Sequence, residues 1–418
     1  MLRFACLFRD FCTSAAIATL AASAALASPD GLRAAMETVN LDTLRSEGAS
    51  GTPAERQLAE AVELSWTMHD DEAAIALTLA AGLQSDPRLR AACLWELMSL
   101  YARQGAFMAA VGAGEAASQL DPPSASLQQA LDFFRGLSGV APTRALASPS
   151  GHAAVKRDLA GLMRAEMTIG GVSAGTILDT GANFSAITES LAKCMGLRML
   201  EANVSVGSSS RDAVASRLGV AEHLTIGGAD FSSVVFIVLP DKDLSFANGA
   251  YTIEAILGMP VFFEMGRIGV IKVDGKEVFV FGDEAPAVSV SRNILYNGMA
   301  PLMGLGVDVA GKPARLSMLI DSGAQKTSFE GRLLQDHPAL VEGAATVTSQ
   351  RGGAGGTVTS DNTRRIAKLN VKIGEKAVTL SNADVHDTSN EERHGILGLD
   401  ALRDGFVIDW KAGVLAAN

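Results

Sequence analysis

Two stretches of this 418-residue sequence repeat one pattern: AEMTIGGVSAGTILDTGANFSAIT at residues 165–188 and GVDVAGKPARLSMLIDSGAQKTSF at residues 306–329. Each begins with alternating apolar and polar residues, passes through a glycine-containing turn and continues as an apolar run that ends in Asp-Thr/Ser-Gly-Ala. The alternation predicts a β-hairpin, and the apolar run predicts a buried strand. Both stretches therefore predict a strand that leads directly into a tight turn carrying one aspartate.

Further landmarks recur after each aspartate. An Ile-Gly turn follows at residues 226–227 and again at 373–374, and an Ile-Leu-Gly triplet follows at residues 256–258 and again at 396–398. The aspartate and the glycine of that triplet are 79 residues apart in the first half and 77 in the second. One Asp-Thr/Ser-Gly triplet can arise by chance, but two in matched settings indicate a duplicated unit.

The two aspartate loops resemble those of the pepsin and retropepsin clan of aspartic proteases. The resemblance implies an all-β acid-protease barrel domain with two lobes, in which each Ile-Leu-Gly packs behind one loop. It also implies that Asp179 and Asp321 are the catalytic pair of an aspartic endopeptidase that acts on protein or peptide.

The chemistry fits a pair of carboxylates, since two such groups about 3 Å apart cannot both ionise and share one proton, an effect that aspartic proteases themselves exemplify. The ionised member takes a proton from a water, while the protonated member hydrogen-bonds the scissile carbonyl. Such a reaction needs no cofactor or metal, and we expect none.

The residues next to each aspartate are expected to support the loops. Hydroxyls at Thr180 and Ser322 can hydrogen-bond the opposite loop, while Gly181 and Gly323 allow close approach of the backbone and are expected to have positive φ angles.

Departures from the two branches of the clan indicate a retropepsin-like dimer fused into one polypeptide. Ala182 and Ala324 follow the two glycines, as in retropepsins, and Tyr251 is the only tyrosine between the first aspartate and its Ile-Leu-Gly, so the flap tyrosine typical of pepsins is not evident. Two small polar segments, 204–216 and 346–362, are candidates for mobile flap hairpins over the cleft.

The first 27 residues have the pattern of a signal peptide, with two early arginines, an apolar stretch and the ending Ala-Leu-Ala at 25–27. We expect cleavage before Ser28 and a periplasmic or secreted mature protein, an uncleaved membrane anchor being the alternative. No later apolar stretch is long enough for a membrane span. Of the four cysteines, Cys93 and Cys194 lie outside the leader, which predicts neither a disulfide framework nor a zinc site.

Composition excludes two broad classes. With 48% hydrophobic and 19% charged residues the chain is too apolar to be mainly disordered, and its length suits two or three domains. A net charge of −11 argues against nucleic acid as a partner.

Residues 28–140 are rich in Ala and Leu and predict an all-α domain. Asp-Pro pairs 35 residues apart, at 86–87 and 121–122, each close a helix-turn-helix pattern, and residues 124–137 could form a capping helix. The second unit resembles a tetratricopeptide repeat at Leu94, Leu97, Tyr101, Gly105, Phe107, Ala110, Ala117 and Pro122. The helices are thus either a groove for a protein partner or a plain helical domain.

The predicted organisation is multi-domain: a signal peptide at 1–27, a helical domain at 28–140, a linker at 141–152 and protease lobes at 153–286 and 287–418. The alternative to an enzyme is a non-catalytic peptide-binding or scaffold protein that uses the protease-like cleft or the helices.

Three other motifs are set aside. Residues 171–175 spell Gly-x-Ser-x-Gly, but a strand follows where a nucleophile elbow needs a helix. Residues 306–312 spell Gly-x-x-x-x-Gly-Lys, but Pro313 stands in place of Ser or Thr. A final cluster is expected to be a solvated loop rather than a metal site: Asp384, His386, Asp387, Glu391, Glu392 and His394.

Overall fold

The computed structural model describes residues 29–207, 210, 213–387 and 392–418, so the predicted signal peptide lies outside the described residues. A helical region comes first, and a mostly β region follows. Within the described ranges, every helix falls short of the length and hydrophobicity that a membrane crossing requires.

The helical region is a series of antiparallel helices with short turns. Its helices are α1 (Pro29–Glu37), α2 (Leu41–Ser50), α3 (Pro53–Trp66), α4 (Asp70–Leu83), α5 (Pro87–Arg103), α6 (Phe107–Ser118) and α7 (Ala125–Leu137). Several starts are set by capping residues: Thr52 and Glu55 form a reciprocal capping box at α3, and Asp86 accepts the Arg88 N–H ahead of Pro87 at α5. The helix-turn-helix pairs predicted on either side of residue 86 are therefore present as α3–α4 and α5–α6.

The first half of the β region contains one large sheet, a two-stranded sheet formed by β10 and β11, and strands of a further sheet. Its elements are β1 (Arg144–Ala145), β2 (Gly151–Ala154), β3 (Lys156–Arg157), β4 (Met163–Ile169), β5 (Val172–Leu178), β6 (Ser185–Thr188), α8 (Glu189–Cys194), β7 (Arg198–Val206), β8 (Val214–Ile226), β9 (Ala229–Leu239), β10 (Ser245–Phe246), β11 (Tyr251–Thr252), β12 (Ala255–Leu257), α9 (Met259–Met265), β13 (Arg267–Val273) and β14 (Lys276–Phe281). The strand order of this first sheet is β1-β9-β6-β12-β5-β4-β8-β7, with β3 on β4.

The second half repeats this arrangement. Its elements are β15 (Ile294–Asn297), β16 (Ala300–Val309), β17 (Lys312–Ile320), β18 (Ser328–Phe329), α10 (Gly331–Asp336), β19 (Ala345–Gly353), β20 (Gly356–Ile373), β21 (Lys376–Val385), β22 (Gly395–Leu397), β23 (Phe406–Asp409) and β24 (Val414–Ala417). The second sheet has the order β15-β16-β17-β22-β18-β21-β20-β19.

Matching registers confirm the predicted duplication. The hairpins β4–β5 and β16–β17 are both antiparallel, as predicted. The Ile-Leu-Gly strand then pairs in parallel with the strand that carries the aspartate, β12 with β5 and β22 with β17. The Gly-x-Ser-x-Gly motif lies in the first of these hairpins and the Gly-x-x-x-x-Gly-Lys motif in the second, so neither precedes a helix.

A central sheet joins the two halves. Its order is β2-β14-β13-β23-β24, so strands from the first half pair directly with strands from the end of the chain. The predicted linker 141–152 is also partly built into sheets, because β1 pairs with β9 and β2 pairs with β14. Its Pro, Gly and Ser content marks sharp turns between short strands rather than a plain linker.

The helices share their core with the strands. Phe107 and Phe134 belong to the same buried cluster as the β-sheet core, and Leu302 and Leu319 of the second sheet belong to the buried cluster of the helices. Arg103 adds a polar link: its buried guanidinium ion-pairs with Asp70 at 2.7 Å and donates to the Gly298 carbonyl at 2.6 Å.

Candidate active site

Two matched strand ends carry the aspartates. Strand β5 ends at residue 178 and β17 ends at residue 320, so Asp179 and Asp321 are the first residues after buried strands. The backbone N–H of each aspartate donates to the leucine carbonyl of the neighbouring Ile-Leu-Gly strand at 3.1 Å. Asp179 and Asp321 are both partly buried. The duplicated sheets thus bring the two predicted residues together from sequence positions 142 apart.

The hydroxyl residues after the aspartates interlock. Thr180 Oγ1 donates to the Ile320 carbonyl at 2.8 Å and accepts the Ser322 N–H at 3.0 Å. In the mirror arrangement, Ser322 Oγ donates to the Leu178 carbonyl at 2.7 Å and accepts the Thr180 N–H at 3.0 Å. Both residues are almost fully buried. The expected hydrogen bonds to the opposite loop are therefore present.

The two glycines meet one of the two expectations stated for them, close approach of the backbone, but not the other, a positive φ angle. Neither Gly181 nor Gly323 is among the positive-φ glycines, so the expectation of a left-handed backbone was wrong. Instead, a Cβ on Gly181 would lie 2.6 Å from Cγ of Asp321, and a Cβ on Gly323 would overlap the Asp179 carboxyl group. Glycine is needed here because each loop packs against the carboxyl group of the other, which is the close approach that was expected.

The carboxyl groups of the pair hydrogen-bond to each other, and both have raised pKa values. Burial is the main cause in each case, because it penalises the charged form. The pKa of Asp179 is raised furthest, since the charge of Asp321 adds to burial. Backbone N–H groups of Gly181 and Gly323 each donate to Oδ1 of the aspartate in their own loop at 2.8 Å and oppose this rise. The pair therefore keeps one proton at a pH where an isolated aspartate is ionised.

A second layer of hydroxyls supports the loops and was missed by the sequence reasoning. Ser185 Oγ accepts the Gly258 N–H, and Thr327 Oγ1 accepts the Gly398 N–H, both at 3.1 Å. Thr327 Oγ1 also donates to Asp400 at 2.7 Å. The available signal was the matched spacing, since each hydroxyl residue lies six residues after its aspartate.

Two hairpins correspond to the flap candidates. Strands β19 and β20 form one of them, which confirms a hairpin within 346–362. Strands β7 and β8 pair in the other, although residues 208, 209, 211 and 212 lie outside the described residues. The two tips meet, because Ser210 Oγ donates to the Ala354 carbonyl at 2.9 Å. The next residue of the second tip, Gly355, donates its N–H to the Asp243 carbonyl at 2.8 Å.

Tyr251 lies outside both hairpins. Its hydroxyl donates to Asp158 at 2.6 Å, and the same carboxylate accepts Arg164 Nε at 2.9 Å. Burial, together with the hydrogen bond to Asp158, raises the pKa of Tyr251 to about 12. The sequence-based statement that no pepsin-like flap tyrosine is evident agrees with this position.

The acidic and histidine cluster is dispersed into separate contacts. Asp384 pairs with Arg365 at 2.6 Å, and His394 contacts Asp336 at 3.1 Å, whereas Glu391 lies outside the described residues. His394 Nδ1 accepts the Ser317 N–H, so Nε2 carries the proton, and burial lowers the pKa of His394 to about 4. No group of three or more potential ligands capable of holding a metal occurs among the described residues.

Comparison with known proteins agrees with part of this site. Residues 165–261 match the model of an aspartyl protease family. The match spans Asp179 and the first Ile-Leu-Gly and ends well before Asp321. No curated protein matches the sequence of the chain.

Proposed function

We propose that this protein is a single-chain, two-lobed aspartic endopeptidase of the retropepsin-like type, with Asp179 and Asp321 as its catalytic pair. The observation that carries the proposal is the reciprocal packing of two equivalent loops, each with its glycine against the carboxyl group of the other. The family match supports a protease-type enzyme, and it implies protein or peptide as substrate.

In this mechanism the pair begins with one shared proton, which we place on Asp179 because its pKa is raised furthest. Ionised Asp321 takes a proton from the attacking water, while the Asp179 carboxyl group donates a hydrogen bond to the scissile carbonyl oxygen. The resulting tetrahedral diol breaks its C–N bond as the leaving nitrogen accepts a proton from the pair. One water is consumed, and two peptide ends are released without a covalent enzyme intermediate.

The two hairpins are proposed as the lid of this site. Their tips meet at Ser210 and Ala354, and Ala354 also packs against an apolar cluster that includes Val214 and Leu244. A substrate that is held between loops and hairpins is shielded from bulk water, which strengthens the electrostatic interactions at the reacting bond. Opening of the two tips is then the step that admits a peptide.

We further propose that the chain is exported through its N-terminal 27 residues and acts in the periplasm or as a secreted protein. The support is the order of charged, apolar and small residues in that segment. Kinship of the helical region with tetratricopeptide repeats, and a protein partner for it, are proposals that rest on the matched positions between residues 94 and 122.

The decisive experiment compares Asp179→Asn and Asp321→Asn with the unchanged protein on a mixed peptide library analysed by mass spectrometry. Each substitution should reduce cleavage by about 10²–10⁴-fold or more, since it removes one partner of the acid–base pair. Asp283→Asn, at an exposed position, is the matched control and should cleave normally. Normal cleavage by either active-site variant, or no cleavage by the unchanged protein from acidic to neutral pH, would overturn the proposal.

A further inference from the structure

The helices cover one of two equivalent positions in the aspartate loops. Phe184, five residues after Asp179, is only 6% exposed. Its ring lies 4.8 Å from that of Phe133 in α7 and 6.2 Å from that of Phe107 in α6. The equivalent residue five positions after Asp321 is Lys326, which is exposed. The same point on the two loops is thus an aromatic anchor under helices in one half and a charged surface residue in the other.

The strands before the aspartates differ in the same way. Leu319, two residues before the second aspartate, pairs with Leu302 and Ile396, and all three pack into the cluster formed by the helices. In the first half, the register position of Leu302 is occupied by Arg164, which ion-pairs with Asp158 at 2.9 Å. The other two equivalents, Ile177 and Ile256, are apolar in both halves, so the difference lies at one position: an apolar Leu302 packed with the helices in the second half and a charged Arg164 bonded within the β region in the first.

The helical region contacts both covered positions, Phe184 and Leu319. Helix α5 contributes Met98 and Ala102 to the cluster that contains Phe184, and Leu97 and Leu100 to the cluster that contains Leu319. The helical region therefore packs against the loop of the first half and against the strands of the second half.

The helices also reach one of the two hairpins. Helix α7 packs along β7, the first strand of one hairpin, so closely that a Cβ on Gly136 would lie 2.9 Å from Cβ of Ala202 and 3.0 Å from Cδ1 of Leu218. The corresponding strand of the other hairpin, β19, is mostly exposed. The helices thus contact both the first aspartate loop and one of the two hairpins.

We infer that the helical region closes one end of the substrate cleft, so that a peptide can extend freely on only one side of the scissile bond. This inference rests on the proposed function. A bound peptide in extended form advances about 3.3 Å per residue. A wall beside the loop therefore limits the number of residues on that side to a few. The preferred substrates are then peptides that are cut close to one terminus.

The test is a set of end-blocked peptides built around one cleaved bond and lengthened a residue at a time on either side. Blocking both ends keeps terminal charge constant, so that only length varies. We expect kcat/KM to fall at least tenfold once the chain on one side reaches the wall, and to stay level or rise when the other side is lengthened. Equal tolerance on both sides would overturn the inference and leave an aspartic endopeptidase in place, whereas absence of Asp179-dependent cleavage of any peptide would overturn the proposed function itself.

A variant connects the length limit to the helices. Phe133→Ala shortens the anchor that holds α7 on Phe184, and Phe133→Leu is the milder form in case the first does not fold. The readout is the ratio of kcat/KM for a long peptide to that for a short one, which cancels any loss of folded protein. The ratio should rise in the folded variant and stay unchanged in Met108→Ala, on the exposed face of α6. An unchanged ratio in a folded Phe133 variant would contradict the inference.

Discussion

The side chains of Thr180 and Ser322 each donate to the carbonyl group just before the other's aspartate and each accept the other's backbone N–H. Thr180→Val keeps the shape but leaves the Ile320 carbonyl and the Ser322 N–H without partners in a buried setting. At about 1–3 kcal/mol for each unsatisfied group, the free energy of unfolding should fall by roughly 2–6 kcal/mol, and peptide cleavage should fall with it. Thr180→Ser keeps the hydroxyl and should stay close to the unchanged protein in urea unfolding; equal stability of the Val and Ser variants would contradict this account.

Gly181→Ala tests the contact between the loops. The added methyl group would lie 2.6 Å from Cγ of Asp321, so one loop must shift and the carboxyl groups must separate. We expect loss of most cleavage activity in a protein that still folds, measured by turnover and by circular dichroism. Gly112→Ala is the control, because no atom lies within 4 Å of its Cβ, and alanine should stabilise α6 by about 0.5–1 kcal/mol. Full activity in Gly181→Ala would contradict the close contact between Gly181 and the Asp321 carboxyl group.

The raised pKa of Asp179 predicts how stability depends on pH. A carboxyl group whose folded pKa lies above its ordinary value of 3.8 favours folding below that value, and this contribution is lost as the pH rises through the folded pKa. Asp179→Asn removes the cost of ionisation and should therefore unfold at a higher temperature than the unchanged protein near neutral pH. The advantage should shrink as the pH falls towards 3.8. A pH-independent difference in melting temperature would count against the shared proton.

His394 should produce the opposite trend. Its pKa falls from 6.5 in the unfolded chain to about 4, so the neutral form favours folding above 6.5, and this contribution is lost as the pH falls through 4. The full effect is roughly 3 kcal/mol, at 1.36 kcal/mol per pKa unit. His394→Asn can still accept the Ser317 N–H but does not titrate. Unfolding of this variant between pH 6.5 and 4 should depend less on pH than that of the unchanged protein.

Much of the site follows from repetition in the sequence. Two matched aspartate loops with near-equal spacing to Ile-Leu-Gly predicted two equivalent hairpins, each ending in an aspartate. The pairing of Asp179 with Asp321 was predicted from the resemblance of these loops to those of aspartic proteases. The hydroxyl contacts of Thr180 and Ser322 followed once the two loops were expected to face each other. The φ angles of Gly181 and Gly323 did not, since a glycine can be required by a neighbouring atom as well as by its own backbone.

Differences between the halves could not be predicted, because the comparison of repeats reveals only what they share. Phe184 and Lys326 occupy equivalent positions, and nothing in either loop indicates that helices cover one of them. The short strands within the predicted linker 141–152 could not be predicted for a related reason: two-residue strands such as Arg144–Ala145 have no periodicity of their own and exist only because the edge of β9 is available.

The two halves belong to one polypeptide, and the central sheet, in which β13 of the first half pairs with β23 of the second, holds them together. In an enzyme made of two identical subunits, every substitution appears twice, once on each flank of the cleft. Here a single codon change alters one flank alone. Phe184 and Lys326 can therefore stand at equivalent positions in one chain, and under the proposed function this difference is what allows the two ends of the cleft to accept peptides of different length.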